Sequence, residues 1–515
     1  MRAAAARVAE EDEFAMAEDE WAQIIAFLRS REGRELSHTE LEATLNERGR
    51  ELMRVLFQAQ VDRRGPGPAA GPVCGADGVQ RSEQRLHERG LSTVFGEVRV
   101  QRLGYGAAGV DSLHPLDAQL NLPAGEYSLG VRRLAAEQAA QVSFEATVEA
   151  VARQTGKTMG KRQIEDLVQR AAVDFDAFYT QREPAAERAS SSILALSADG
   201  KGVVMLPRDL REPTRRAAQG QANKLAKRLA KGEKRNRKRM ATVAAVYTVA
   251  PYVRTPEQVV RSLAPWHEPA APRPPVEHKR VWASVEKDPE AVLAEAFQEA
   301  LRRDPQRQKN WVGLVDGNQT QLDLLKKLAR QHKVKLTVVL DVIHVAEYLW
   351  SASTAFHEEA SPQREQWVGK RLHNVLLGKA AQVAAGMRRS ATLRELSAAQ
   401  RKPVDVAAGY LLNHTQYMRY HEYLAAGLPI GTGVIEGACR HLVCDRMDRA
   451  ARWSLKGAEA VLRLRALRSS GDFDAYWDYH VAQEYQRNHV AHYADGNVVP
   501  VRGRTRTPPT LRRVK

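Results

Sequence analysis

Cysteine is scarce: 515 residues contain three, Cys74, Cys439 and Cys444. That is too few for a disulfide scaffold and is the usage of a reducing compartment. The spacing Cys439-x-His441-x-x-Cys444 lacks the paired arms of a structural zinc site, and buried thiols on a helix are the simpler expectation. Long apolar runs are lacking too. The longest, "MATVAAVYTVAPYV" (240–253), is too short to span a bilayer. The opening "MRAAAARVAEEDEFAMAEDEW" turns acidic where a signal peptide needs an apolar core. A soluble, cytoplasmic protein with no membrane partner is therefore expected. Acids are in deficit: 62 Asp and Glu face 78 Lys and Arg, a net charge of +16. Such a balance calls for a polyanionic partner, nucleic acid above all, and says nothing of fold.

What is present is ordinary globular material, 43% hydrophobic and 27% charged, long enough for several domains. Residues 1–62 form a helical region, with apolar residues at three- and four-residue spacing in "WAQIIAFLRS" and "LEATLNERGRELMRVLFQAQV". Residues 63–110 combine a Gly/Pro linker with a short β-hairpin about Gly96-Glu97. Residues 111–185 are helical, and 143–171 read as helix, Gly turn, helix. This is a helix-turn-helix-like, DNA-binding pattern, or else an ordinary helical hairpin.

Strands are expected at 191–204 and 240–253. Between them runs a polycation with eleven Lys/Arg and one acid, Glu233. The basic residues are Arg215, Arg216, Lys224, Lys227, Arg228, Lys231, Lys234, Arg235, Arg237, Lys238 and Arg239. As one helix, 215–239 would be basic nearly all round, either a solvated arm or a clamp on the phosphate backbone. The overall charge favours the clamp. From 288 to 345 helices and strands alternate, which implies an α/β layer. Residues 351–425 read as an all-helical insertion. Residues 483–515 read as a basic tail, whose last segment, "RGRTRTPPTLRRVK", is expected to be disordered.

Three acids occupy informative places. Asp199 and Asp316 each end an expected strand, and Glu436 lies in the first turns of a helix after "GTG". An all-oxygen cluster of this kind suits Mg²⁺, and two such ions serve phosphodiester chemistry. Taken singly, Asp-Gly after a strand is a routine turn, and a Glu at a helix start is favoured by the helix dipole. Arg440, four residues after Glu436, shares its helix face and would reach a phosphate or pair with Glu436. Gly431-x-Gly433-x-x-x-Gly437 is off the dinucleotide-binding fingerprint, and no long strand precedes it.

The stretches "LSADGKGVVM", "KRMATVAAVYTVAPYVRTPEQVV", "WVGLVDGNQTQL", "TVVLDVIHVAEYLW", "GLPIGTGVIEGACRHLVCDRMD" and "GAEAVLRLRALRSSGDFDAYW" occur in this order. Together they resemble the ISKra-type transposases of bacterial insertion sequences, distant relatives of the Mutator-like group. The resemblance runs from about residue 85 to 485.

It implies an α/β RNase H-like catalytic core, in two parts at 190–350 and 426–482, interrupted by the insertion at 351–425. The implied DDE triad is Asp199, Asp316 and Glu436, holding two Mg²⁺ with Mn²⁺ able to substitute. Asp341 and His344 match an accessory Asp-x-x-His motif. Asp341 also ends a strand and competes with Asp316 for the second metal position.

The implied partners are double-stranded DNA, as terminal inverted repeats and target, and a second copy of the chain, since two DNA ends must be joined. The N-terminal helices would recognise the repeats. "DRMDRAARW" is shorter than the family pattern, which carries a glycine before "ARW". A catalytically inactive, DNA-binding copy acting as a repressor is therefore the alternative.

Overall fold

The computed structural model describes residues 14–183, 192–220, 236–263, 272–448 and 451–502. The chain divides into two units, residues 1–178 with 474–515, and residues 179–473. Among the described residues no helix is long and apolar enough to cross a membrane.

The first unit opens with helices Ala15–Arg29, Arg31–Glu35 and His38–Asp62. The last is started by a capping box in which Ser37 and Glu40 satisfy each other's main-chain N–H groups. Two short strands, β1 (Val73–Cys74) and β2 (Gln80–Arg81), pair with each other. An antiparallel sheet follows, made of β3 (Glu83–Thr93), β4 (Gly96–Ala107) and β5 (Val110–Leu113). The hairpin is longer than its sequence suggests, with pairing from Thr93–Gly96 back to Glu83–Gly106. The first half of β3 is polar on both faces and largely exposed, so no alternation marks it.

Helices Phe144–Thr155 and Lys161–Ala171 flank a turn whose Gly156 adopts a φ of 73°. Ile164, Leu167, Val168 and Ala171 bury the inner face of the second helix, and Lys161 pairs with Glu145 of the first. The segment expected as a basic tail, 483–515, begins inside helix Phe473–Asn488, and its Val501 is buried with Val61, Leu91 and Val98. Tyr493 is a second buried apolar anchor in it. Residues 503–515 lie outside the described residues.

The second unit is built on one five-stranded sheet. Its strands are β6 (Ile193–Val204), β7 (Lys238–Val249), β8 (Glu277–Ser284), β9 (Asn310–Val315) and β10 (Leu336–Leu340). The order across the sheet is β10-β9-β6-β7-β8. β6, β7 and β8 are antiparallel neighbours, whereas β9 and β10 run parallel to β6. Helices Pro289–Arg303 and Gln319–Gln331 make the crossovers that parallel pairing requires. The central strands read as unbroken apolar runs because they are buried throughout: Ile193–Ala198, Ala241–Thr248 and Trp311–Val315.

After β10 the chain is helical to residue 425, in helices Val342–Ser353, Pro362–Leu376, Ala380–Leu393, Ala398–Asn413 and Tyr420–Ala425. The helix carrying Glu436 starts at Gly433. It passes at Cys439–Cys444 into a π-helical turn, a rare widening that recurs at functional sites.

The polycation is not one helix. Helix Glu212–Gln219 holds Arg215 and Arg216, and both pair with Glu212. Lys238 and Arg239 already belong to β7. Arg239 bonds the carbonyls of Val285, Asp209 and Glu286, so it braces the sheet from within. Lys238 faces Asp448 at 2.8 Å, and Arg237 is exposed. Lys224, Lys227, Arg228, Lys231, Lys234 and Arg235 lie outside the described residues, as do residues 264–271.

Candidate functional site

Pairing of the three parallel strands sets the site. Ser197 of β6 pairs with Leu314 of β9, and Val315 of β9 pairs with Leu340 of β10. Asp316 and Asp341 are the residues that follow immediately on β9 and β10. Asp199 lies two past Ser197, just as Asp316 lies two past Leu314. The carboxyl ends of neighbouring parallel strands, where α/β sheets hold their ligands, thus carry three aspartates side by side.

Asp199 does not end its strand. β6 continues to Val204, pairing from Asp199 onward only with β7, because β9 has already turned away. An Asp-Gly turn is therefore present at Asp316-Gly317, where Gly317 has a φ of 93°, and absent at Asp199-Gly200.

Asp341 is fully buried at the start of helix Val342–Ser353. Its Oδ1 accepts the N–H groups of Ile343 at 3.1 Å and Thr432 at 3.2 Å. Its Oδ2 lies 2.7 Å from the Thr432 hydroxyl and 3.2 Å from His344 Nδ1. Burial pushes this carboxyl up, but the bonds from His344, Thr432 and the main chain prevail and hold it below the usual range. The bond to Asp341 raises His344, against the opposing effect of its partial burial. The charges of Asp341, Glu347 and Asp316 raise it further.

Glu436 joins this pair. Its Oε1 stands 3.0 Å from the Thr432 hydroxyl, and one ligating atom each of Asp341, His344 and Glu436 lie within 4.8 Å of one another. A hydroxyl carries one proton, so Thr432 cannot donate to both carboxylates at once. Two acids that share one donor, with an imidazole beside them, fit a divalent cation. An acidic and histidine cluster able to hold a metal ion is thus part of the fold.

Asp199 adjoins the same helix. Its Oδ2 accepts from Cys439 Sγ at 3.2 Å, three residues past Glu436, and meets Lys201 Nζ at 2.9 Å. Burial and the charge of Asp199 push the Cys439 thiol up, so it stays protonated as a donor. The bond to Asp199 raises Lys201 in turn. Arg465 donates to the carbonyls of His441 and Leu442, which supports the π-helical turn.

Asp316 is half-buried and accepts the N–H of Asn318 at 2.9 Å. Arg440 points elsewhere, exposed and 3.7 Å from Asp445, not paired with Glu436. Cys439 is the buried thiol expected of a helix, but Cys444 is exposed. Among the described residues neither belongs to a metal-capable group.

Thr432, Cys439, Lys201 and Tyr410 were not singled out from sequence as site residues. Lys201 in "DGKG" and Thr432 in "GTG" lie inside motifs that were, so proximity in sequence was a signal left unused.

No protein-family model matches the chain, and no curated protein does. Among solved structures, the Drosophila P element transposase strand transfer complex aligns over 76% of this chain and 84% of that chain, with a TM-score of 0.24 and 9% identity.

Proposed function

We propose that the chain is a DNA transposase of the ISKra type, whose five-stranded sheet is an RNase H-like catalytic core interrupted by the helical insertion at 351–425. The observation that carries this reading is the gathering of Asp199, Asp316 and Asp341 at adjacent strand ends beside the Glu436 helix. Three antiparallel strands followed by two parallel ones, added on the far side of the first, are the strand plan of such a core. The +16 net charge supplies the attraction for DNA.

In this reading Asp199, Asp316 and Glu436 hold divalent metal, and Asp341 with His344 is the accessory pair beside Glu436. Bound metal would supply Lewis-acid activation of the attacking oxygen and stabilise the leaving one. Hydrolysis joins a water oxygen to phosphorus and breaks the bond to the 3′-oxygen at the element's end. The freed 3′-hydroxyl then attacks a target phosphodiester, and the target's own 3′-oxygen leaves. The residues' task is positioning, which is why single-carboxylate losses are severe.

The test is strand cleavage and joining on DNA taken from the flanks of the gene, with Mg²⁺ or Mn²⁺. Wild type is expected to give metal-dependent products that Asp199→Asn and Glu436→Gln both abolish. Binding of the ends without product under either metal would favour an inactive repressor copy.

A further inference from the structure

Away from the carboxylates, a cavity of about 140 Å³ opens beside edge strand β8. On its wall, three guanidiniums share one carboxylate. Arg280 Nη1 lies 2.6 Å from Glu299 Oε2, Arg303 Nη2 lies 2.7 Å from Oε1, and Arg302 also bonds Oε2. A single carboxylate cannot neutralise three guanidiniums. Lys279, exposed, adds a further charge at the same cavity. Asp472, which also lines it, is engaged by Arg182 and the Tyr179 hydroxyl. Around the cavity Arg182, Lys279, Arg280, Arg302 and Arg303 thus face Glu183, Glu299 and Asp472, an excess of two positive charges.

The cradle is rigid. Arg280 has a side chain only 8% exposed and sits 3.6 Å over the Tyr179 ring and 4.5 Å over that of Trp282. The β7–β8 ladder shifts register between Val246 and Thr248, and His278 takes a φ of 47°. For a residue other than glycine that conformation is strained, and such strain concentrates at ligand clamps. The bulge also brings the His278 carbonyl to Arg303 Nη1 at 2.6 Å, locking the guanidinium in place.

We propose that this cavity is a phosphate-binding site. Planar guanidiniums match the oxygens of a tetrahedral oxyanion and bind them in pairs. The site belongs to the same sheet as the carboxylates. Arg280 is level with Val246 and so with Leu196, three residues before Asp199. The phosphate is either free inorganic phosphate or part of a DNA backbone. The proposal does not depend on the catalytic reading.

Titration with inorganic phosphate against chloride at matched ionic strength, read by the thermal unfolding midpoint, tests it. Wild type is expected to be stabilised by phosphate beyond chloride. Lys279→Glu is expected to lose about tenfold in phosphate affinity, the equivalent of one charge-assisted contact. Lys370→Glu, with the same charge change elsewhere, should behave as wild type. A second arm measures duplex binding against salt. A slope lowered by about one in Lys279→Glu assigns the phosphate to DNA, whereas an unchanged slope assigns it to free phosphate. No phosphate-specific stabilisation of wild type, or equal stabilisation of Lys279→Glu, overturns the proposal.

Discussion

Tyr410 donates its phenolic hydroxyl to the main-chain carbonyl of Asp316 at 2.8 Å. Its ring stacks on Tyr348 with centroids 3.9 Å apart, and burial pushes its hydroxyl up, so it remains a donor at any working pH. Tyr420 does the same for the Leu340 carbonyl, one residue before Asp341. Two of the helices that follow β10 therefore grip the chain where two of the acids leave the sheet, and they buttress the candidate site.

Tyr410→Phe is expected to destabilise the protein by about 1 kcal/mol, the value of one hydrogen bond, and to weaken Mn²⁺ binding. Urea unfolding and a Mn²⁺ titration measure the two effects. Stability lost with metal affinity intact would limit the tyrosine to a structural role.

Thr432 supplies two of the bonds on buried Asp341. Thr432→Val keeps shape and the main-chain N–H but removes the hydroxyl, at an expected cost of about 1–3 kcal/mol. Thr432→Ser retains the donor and should restore both stability and Mn²⁺ affinity. A serine variant as weak as the valine one would show that the methyl group, not the hydroxyl, matters.

Glu299 gives a pH dependence. Burial pushes its carboxyl up, but Arg280, Arg303 and Arg302 outweigh that and bring it down to about 2. A depressed carboxyl contributes stability that is complete above its unfolded value and lost as pH falls toward the folded one. The unfolding midpoint should therefore drop between roughly pH 5 and pH 2. Glu299→Gln should flatten that drop, at a neutral-pH cost of roughly 3 kcal/mol for guanidiniums left without their acid. Parallel pH profiles for the two proteins would refute this assignment.

The sheet was readable because its strands are continuous apolar runs, and the acids were readable because each breaks such a run. Asp199 was misplaced at a strand end, since nothing local says that β6 outlasts its partner β9. The polycation looked like one element because like charges share no face pattern. Arg239 shows that a basic residue in such a run can serve the core through main-chain carbonyls. The roles of Thr432 and Tyr410 depend on contacts across 91 and 94 residues of chain. Periodicity carries no information at that range. On Glu299, Arg302 and Arg303 stand at helical spacing, and Arg280 reaches it from another element.

The most direct test is Mn²⁺ binding by the intact protein, followed by calorimetry and by the loss of the free-ion spin resonance signal. Wild type should bind, and Asp199→Asn, Asp316→Asn and Glu436→Gln should each lose at least about tenfold in affinity while remaining folded. A wild type that leaves Mn²⁺ free, or folded variants that bind it equally well, would contradict a carboxylate metal centre at the ends of β6, β9 and β10.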